Sequence, residues 1–238
     1  MGTTLATPYK ITRPMIPTPD IFNYLQRSEK ISFLGCPVDL VYLILVINWQ
    51  CWYMVQDRRS TAEDHTTTSE QATLDIHASI ITQIECFEPI AWGIKTSVSV
   101  PESDIAQRIS LASAYKSAIM IYAIRVLHPH NRLLPSVLVQ SFAIQTITNL
   151  CAIPAQDPFF KCILWPLFIA GAETHVFEQR EIVYGLFQRF WYTLRSANVS
   201  NAAQVLGHIW RRHDNGGNDA DGNWTDYLAG EGTEWLFV

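Results

Sequence analysis

Charge is scarce in this chain. Only 16% of its 238 residues are Asp, Glu, Lys or Arg, and the formal net charge is -5. No run of basic residues exceeds the pair Arg211-Arg212. A domain that grips nucleic acid by itself shows a basic face, so direct nucleic-acid contact is not expected here. Low charge together with 48% hydrophobic residues also excludes a disordered chain. Cysteine is sparse: five residues at 36, 51, 86, 151 and 162, with no Cys-x-x-Cys pair. An odd, scattered set points to free thiols in a reducing compartment rather than a disulfide framework. Their apolar surroundings predict protonated, inert thiols.

Chemical motifs are missing too. No Gly-x-Ser-x-Gly, His-Glu-x-x-His, P-loop or Gly-x-Gly-x-x-Gly pattern occurs, and no Asp-rich helix suited to magnesium. The acidic loop after Asp214 fails as a calcium loop: with Asp219, Asp221 and Gly222 in register, Gly217 and Leu228 occupy the first and twelfth positions, where oxygen donors are required. His128 and His130, like His208 and His213, read as helix-end histidines; His175 reads as a satisfied core histidine or a hydrogen-bonding group inside a pocket. Glu178 and Glu181 read as solvated surface. No catalytic, cofactor-binding or metal residue is assigned, and no enzyme activity is expected. Strand-like alternation and internal repeats are also absent. The apolar run Leu40 to Ile47 is fenced by Asp39 and Asp57 and interrupted by Asn48 and Gln50. It falls short of the ~20 residues that cross a bilayer, so it reads as a buried helix, with no membrane contact.

What the chain does have is helical periodicity. Residues 1–17, with Pro8, Pro14 and Pro17, form an extended or mobile lead-in, and residues 18–238 a single helical domain. Thr18 caps a first helix with Pro19 in its first turn. An apolar helix covers about 38–57, and a polar loop follows from Arg58 to Ser69. The capping box Thr68-Ser69-Glu70-Gln71 opens a helix with Ile76, Ile80, Ile84 and Phe87 on one face, running to Trp92-Gly93. A second box, Ser99 to Glu102, opens a helix to about Leu127 with Ile105, Ile109, Ala112, Ile119, Tyr122 and Val126 inward. Another covers about 134–151. Beyond Val176, residues Ile182, Val183, Leu186, Phe187, Phe190, Trp191 and Leu194 line one side of an amphipathic helix. Ser200 caps the last long helix, whose negative end Arg211, Arg212 and His213 complement. Trp224 and Trp235 pin the tail.

The stretch Leu164-Trp165-Pro166-Leu167-Phe168-Ile169-Ala170-Gly171-Ala172-Glu173 organises the rest. Pro166 lacks an N–H and predicts a bend inside a buried central helix. Ala170, Gly171 and Ala172 let another backbone approach. Glu173 follows an apolar run, where an unpaired charge is costly, so it caps a neighbouring helix or meets Arg180 or Arg125. Trp165, Phe168, Tyr122 and Trp191 either line a cleft or fill the core, the core being the better reading. The fold expected is all-α, a layered array of antiparallel helices around that kinked helix.

The same stretch resembles the signature of the fungal-specific transcription factor domain, the regulatory region of zinc-cluster regulators. Its signature positions here are Leu164, Trp165, Pro166, Leu167, Phe168, Ala170, Gly171 and Glu173, expected to be structural. Further segments resemble the family in the same order: Gly35 to Leu40, Ala114 to Leu127, Ala203 to Trp210, and Asn223 to Tyr227 with the tail to Val238. The resemblance implies transcription regulation in the nucleus, through other regulators or the transcription machinery, with room for a homodimer and a small-molecule effector. The relatives' DNA reader needs six thiolates in two Cys-x-x-Cys pairs around two zinc ions. These five scattered cysteines do not supply it, so no zinc cofactor is expected; the chain is a fragment of a longer regulator or a stand-alone domain. The alternative reading is a helical enzyme or accessory protein of small-molecule metabolism.

Overall fold

The computed structural model describes residues 4–5, 16–30, 36–60, 67–96, 104–127, 136–215, 224–225, 228 and 235–236. Among them are nine α-helices: α1 (Pro19–Lys30), α2 (Val38–Ser60), α3 (Thr67–Cys86), α4 (Pro89–Thr96), α5 (Ile105–Leu127), α6 (Ser136–Cys151), α7 (Leu164–Ala172), α8 (Phe177–Leu194) and α9 (Ala197–Asp214). The fold is all-α, as the periodicity predicts. One small addition is a two-residue antiparallel pair, β1 (Thr4–Leu5) with β2 (Trp235–Leu236). Two residues are too few to show alternation in a sequence.

The core is built on α5, which packs against α2, α3, α4, α6 and α7. A helix contacted from all sides must be apolar all round, and α5 is buried on nearly every face from Leu111 to Leu127. The inward set expected for it therefore captures only part of its buried surface, and Ile105 and Ile109 are merely half-buried. The polar residue that interrupts the apolar run of α2 has a partner here: Tyr122 Oη donates to Asn48 Oδ1 at 2.5 Å. By length and composition, Val38–Gln56 and Ile105–Leu127 are long and apolar enough to cross a membrane; in this fold the second has 72% of its apolar window buried.

Pro166 corrects the expected kink. A 3-10 turn (Phe160–Ile163) runs straight into α7, and Pro166 is the third residue of that helix. In the first turn a missing N–H breaks no intrahelical bond, so the proline starts the helix instead of bending it.

Other boundaries shift for local reasons. Pro89 splits the helix expected to reach Gly93: α3 stops at Cys86, and α4 begins at Pro89 itself. Because α3 is already helical at Thr67, the Thr68 box lies inside it, and α2 continues through Arg58 to Ser60. The cap of α9 is Ser196, whose hydroxyl accepts from Asn198 N at 3.3 Å; Ser200 sits within the helix. Thr18 does cap α1, accepting from Ile21 N at 3.4 Å. Ile76, Ile182 and Leu194 are exposed, not inward. α8 ends at Arg195 in the left-handed region, φ 49°, a position that ordinarily favours glycine. The Ser99 to Glu102 box, His128, His130 and residues 216–223 lie outside the described residues.

Gly171 sits where α7 meets α8 and α9. A Cβ there would lie 2.8 Å from Leu206 Cδ1 and 3.0 Å from Val183 Cγ1, whereas a Cβ at Gly207 of α9 meets nothing within 4 Å. Gly171→Ala is expected to destabilise by about 1–3 kcal/mol through overpacking. Gly207→Ala is expected to be neutral or to stabilise by up to about 1 kcal/mol through helix propensity. Urea unfolding of both variants checks this; equal effects would refute the close-approach role of Gly171.

Candidate functional site

All nine residues of α7 are buried. Of the signature positions, Leu164, Trp165, Pro166, Leu167, Phe168, Ala170 and Gly171 lie within that helix, and Glu173 is its C-cap. Trp165 lies parallel to Tyr115 with ring centroids 5.9 Å apart, and meets Tyr122 edge-on at 5.7 Å. Phe168 meets Trp224 edge-on at 6.0 Å. The indole N–H of Trp165 finds no acceptor among the described residues, so ring packing holds it. Trp165, Phe168 and Tyr122 therefore fill the core, and Trp191 is half-buried against it.

A helix end leaves carbonyls without partners, and its negative pole disfavours a carboxylate. Glu173 places one there with 1% of its side chain exposed. Four other elements converge to offset it. Arg125 of α5 binds it through two parallel bonds, Nε to Oε1 and Nη2 to Oε2, each 2.7 Å. Trp224 of the tail donates its indole N–H to Oε1 at 2.8 Å. Gln140 of α6 donates to the Glu173 carbonyl. Trp210 of α9 donates to the carbonyl of Gly171 at 2.9 Å, which also accepts from the Thr174 hydroxyl at 2.7 Å. Of the two arginines considered for Glu173, Arg125 is the partner. Arg180 instead reaches the Thr174 carbonyl and Asp214, and lies over the Trp210 ring. Its guanidinium, by hydrogen bonding, holds the Asp214 carboxyl below its usual range.

The histidines correct the expectation for His175. It is exposed, neither core nor pocket, and its ring lies 4.2 Å from that of His213. Loss of water on that ring face lowers its pKa, and His213 adds to the effect. Glu178 and Glu181 are exposed, as read. The cysteines divide: Cys36 and Cys51 are buried and Cys162 half-buried, while Cys86 and Cys151 are exposed, so the apolar surroundings expected for them do not extend to these last two. Burial raises the Cys36 thiol strongly and the Cys162 thiol to about 11. Among the described residues, no three His, Cys, Asp or Glu gather where they could hold a metal ion.

Several organising residues gave no signal in the sequence. Arg108, buried, binds both oxygens of Asp157 and stacks on Phe159 at 3.6 Å, tying α5 to the turn before α7. Glu29 accepts from Val38 N and from the Trp92 indole, joining α1 to α2 and α4. Lys116 of α5 donates to the carbonyls of Glu85 and Phe87 at 2.7 and 2.8 Å, closing the end of α3. Each pair is 9 to 63 residues apart in the chain, beyond any local pattern.

Lys116 also borders an open cleft of about 480 Å³. Its floor is α5, through Ser113, Lys116, Ser117 and Met120; Glu85 and Pro89 form one wall, and Phe142, Gln145 and Asn149 of α6 the other. None of Tyr122, Trp165, Phe168 or Trp191 lines it.

A family model for the fungal-specific transcription factor domain matches residues 11–238. The chain belongs to this family. It is also similar to the acriflavine sensitivity control protein acr-2 of Neurospora crassa, at 25% identity over 226 residues. That alignment covers 90% of this chain and 36% of the relative, so the chain spans about a third of the length of the curated relative it matches. No solved structure matches. Within this fungal transcription factor domain, the stretch expected to carry the family signature is the buried helix and its carboxylate cap.

Two measurements follow from this geometry. Arg125→Ala strands a buried carboxylate and is expected to cost about 3 kcal/mol or more. Trp224→Phe removes one donor and costs about 1–2 kcal/mol. A double-mutant cycle between Arg125 and Glu173 should show strong coupling; additive effects would mean that the pair does not organise the helix end. Thiol labelling at pH 8 should modify Cys86 first, then Cys151, whose thiol partial burial raises. Cys36, Cys51 and Cys162 should react only on unfolding; early labelling of any of these three would contradict the packing.

Proposed function

We propose that this domain is the regulatory part of a fungal transcription regulator, working in the nucleus through contacts with other regulators or the transcription machinery. The family match over residues 11–238 carries the reading. The family supports a transcription-regulatory role in general; the partners, the location and an effector are our extension. In the reading proposed, DNA contact comes from a zinc-cluster segment or a partner outside these residues, consistent with the net charge of -5 and the lack of a basic cluster. The domain itself performs no catalysis. The relative's name ties that protein to control of acriflavine sensitivity; only the general idea of control is carried over to this chain.

Regulation by such a body needs two packings that a ligand or partner binds unequally. The helix end at Glu173 suits that task, because α5, α6, α9 and the tail all place a donor there. A shift of any one of them changes the partners of the others.

The test is a tethering assay. The chain fused to a heterologous DNA-binding module is expected to change reporter expression in a fungal cell, in either direction. Arg125→Ala should abolish the change while leaving the fusion in the nucleus. An inert but folded and nuclear wild-type fusion would overturn the regulatory reading.

A further inference from the structure

The cleft over α5 lies away from the aromatic core and plays no part in the helix-end network. Its volume, about 480 Å³, falls within the roughly 300–1,000 Å³ of small-molecule sites. Its chemistry is specific enough to name a ligand class. The α6 wall belongs to a 16-residue helix, SVLVQSFAIQTITNLC, that carries no charged residue. On the floor, Met120 is buried, and Phe142 and Pro89 supply flat apolar surface on the two sides. The one cation on the floor is Lys116, and two of its three N–H bonds already go to the carbonyls that close α3. Its ammonium sits at the negative end of α3. Glu85 stands exposed at the rim.

The remaining polar groups are hydroxyls and carboxamides. Ser117 Oγ donates to Gln145 Oε1 at 3.3 Å, a long bond that a ligand hydroxyl can replace at little loss. Asn149 Nδ2 is held by the Gln145 carbonyl at 2.8 Å, which fixes that wall. The cleft therefore offers an apolar slot with one N–H of Lys116, the hydroxyls of Ser113 and Ser117, and the Gln145 carboxamide along its edges.

We propose that this cleft binds an uncharged, flat small molecule bearing a carbonyl and a hydroxyl group. The carbonyl accepts from Lys116 and Ser113, the ring lies on Met120 between Pro89 and Phe142, and the hydroxyl meets Gln145. Lys116 and Glu85 both border the cleft, so a carboxylate would meet Glu85 and lose its hydration against the uncharged α6 wall, and an ammonium would meet Lys116. The cleft touches the end of α3, the start of α4, α5 and α6 together, so an occupant would bias how these helices sit. As an effector site, the cleft rests on the regulatory reading above; as a binding site, it does not.

The chain has four methionines, and Met120 lies in the cleft while Met54, a residue of α2, packs against the core away from it. Methyl-labelled methionine NMR on the full chain can thus report the site and the fold separately. The probes are 4-hydroxyacetophenone, the anion 4-hydroxybenzoate and the cation tyramine, each titrated to tens of millimolar. The expected result is a saturable shift of the Met120 methyl with the neutral probe, and binding at least about tenfold weaker for both charged probes, a difference of about 1.4 kcal/mol. Ser113→Phe fills the floor and should abolish the shift, with the Met54 signal unchanged as evidence of folding. Gln145→Ala, at an exposed position, should weaken binding about threefold. No Met120 shift with the neutral probe, equal binding of a charged probe, or a shift unaffected by either substitution would overturn the proposal. The tethering assay decides the regulatory reading independently, so an active fusion with an empty cleft would leave that reading standing and remove the site alone.

Discussion

A single carboxylate at the wrong end of a helix organises this molecule. Glu173 caps α7, where the backbone dipole and the absence of water both oppose a negative charge. Left alone it would be untenable, and its bidentate bond from Arg125 and its bond from Trp224 are what make the position possible. A buried ion pair of this kind adds little net stability compared with an apolar replacement, but losing one partner is costly. What it does is tie α5 and the tail to one point at the end of α7. Gln140 and Trp210 fix α6 and α9 against the neighbouring carbonyls by the same logic.

The aromatic layer makes the same choice by packing. Trp165 between Tyr115 and Tyr122 locks the start of α7 to α5, and Phe168 against Trp224 locks its middle to the tail. Aromatic residues that by their chemistry suit a ligand cage are instead occupied with one another. Among the described residues, an open cleft lies on another side of α5, where small residues, Ser113 and Ser117, leave a gap between two helices that do not close over it. The domain thus keeps a packed centre and an accessible flank on the same long helix.

The all-α class, the capped start of α1, the apolar helix at Val38, although only 44% of its apolar window is buried, and the central place of residues 164–173 were legible in the sequence. Each depends on periodicity, on a capping residue next to its target, or on an uninterrupted apolar run. The failures share a physical cause. Pro89 and Pro166 carry the same local instruction, yet one opens a new helix after a break and the other sits in a first turn continuing from a 3-10 segment. The surroundings choose which. Ser196 prevailed over Ser200 because the left-handed Arg195 ends α8 immediately before it. Ile76, Ile182 and Leu194 look inward by spacing but lie beyond the reach of the neighbours that bury Ile80, Val183 and Leu186.

By itself the sequence determined that this chain folds as helices, that residues 164–173 are buried, and that Glu173 must find a donor, because burial of a charge and the period of a helix are local constraints. Which donor it finds, that α5 is the helix touched on most sides, and where empty space remains were decided only by the tertiary structure. Arg125 and Arg180 are chemically equal candidates along the chain. They differ only in where the crossing of α5 and α8 with α7 places their guanidinium groups, and residues 48 positions apart carry no record of that geometry in their order.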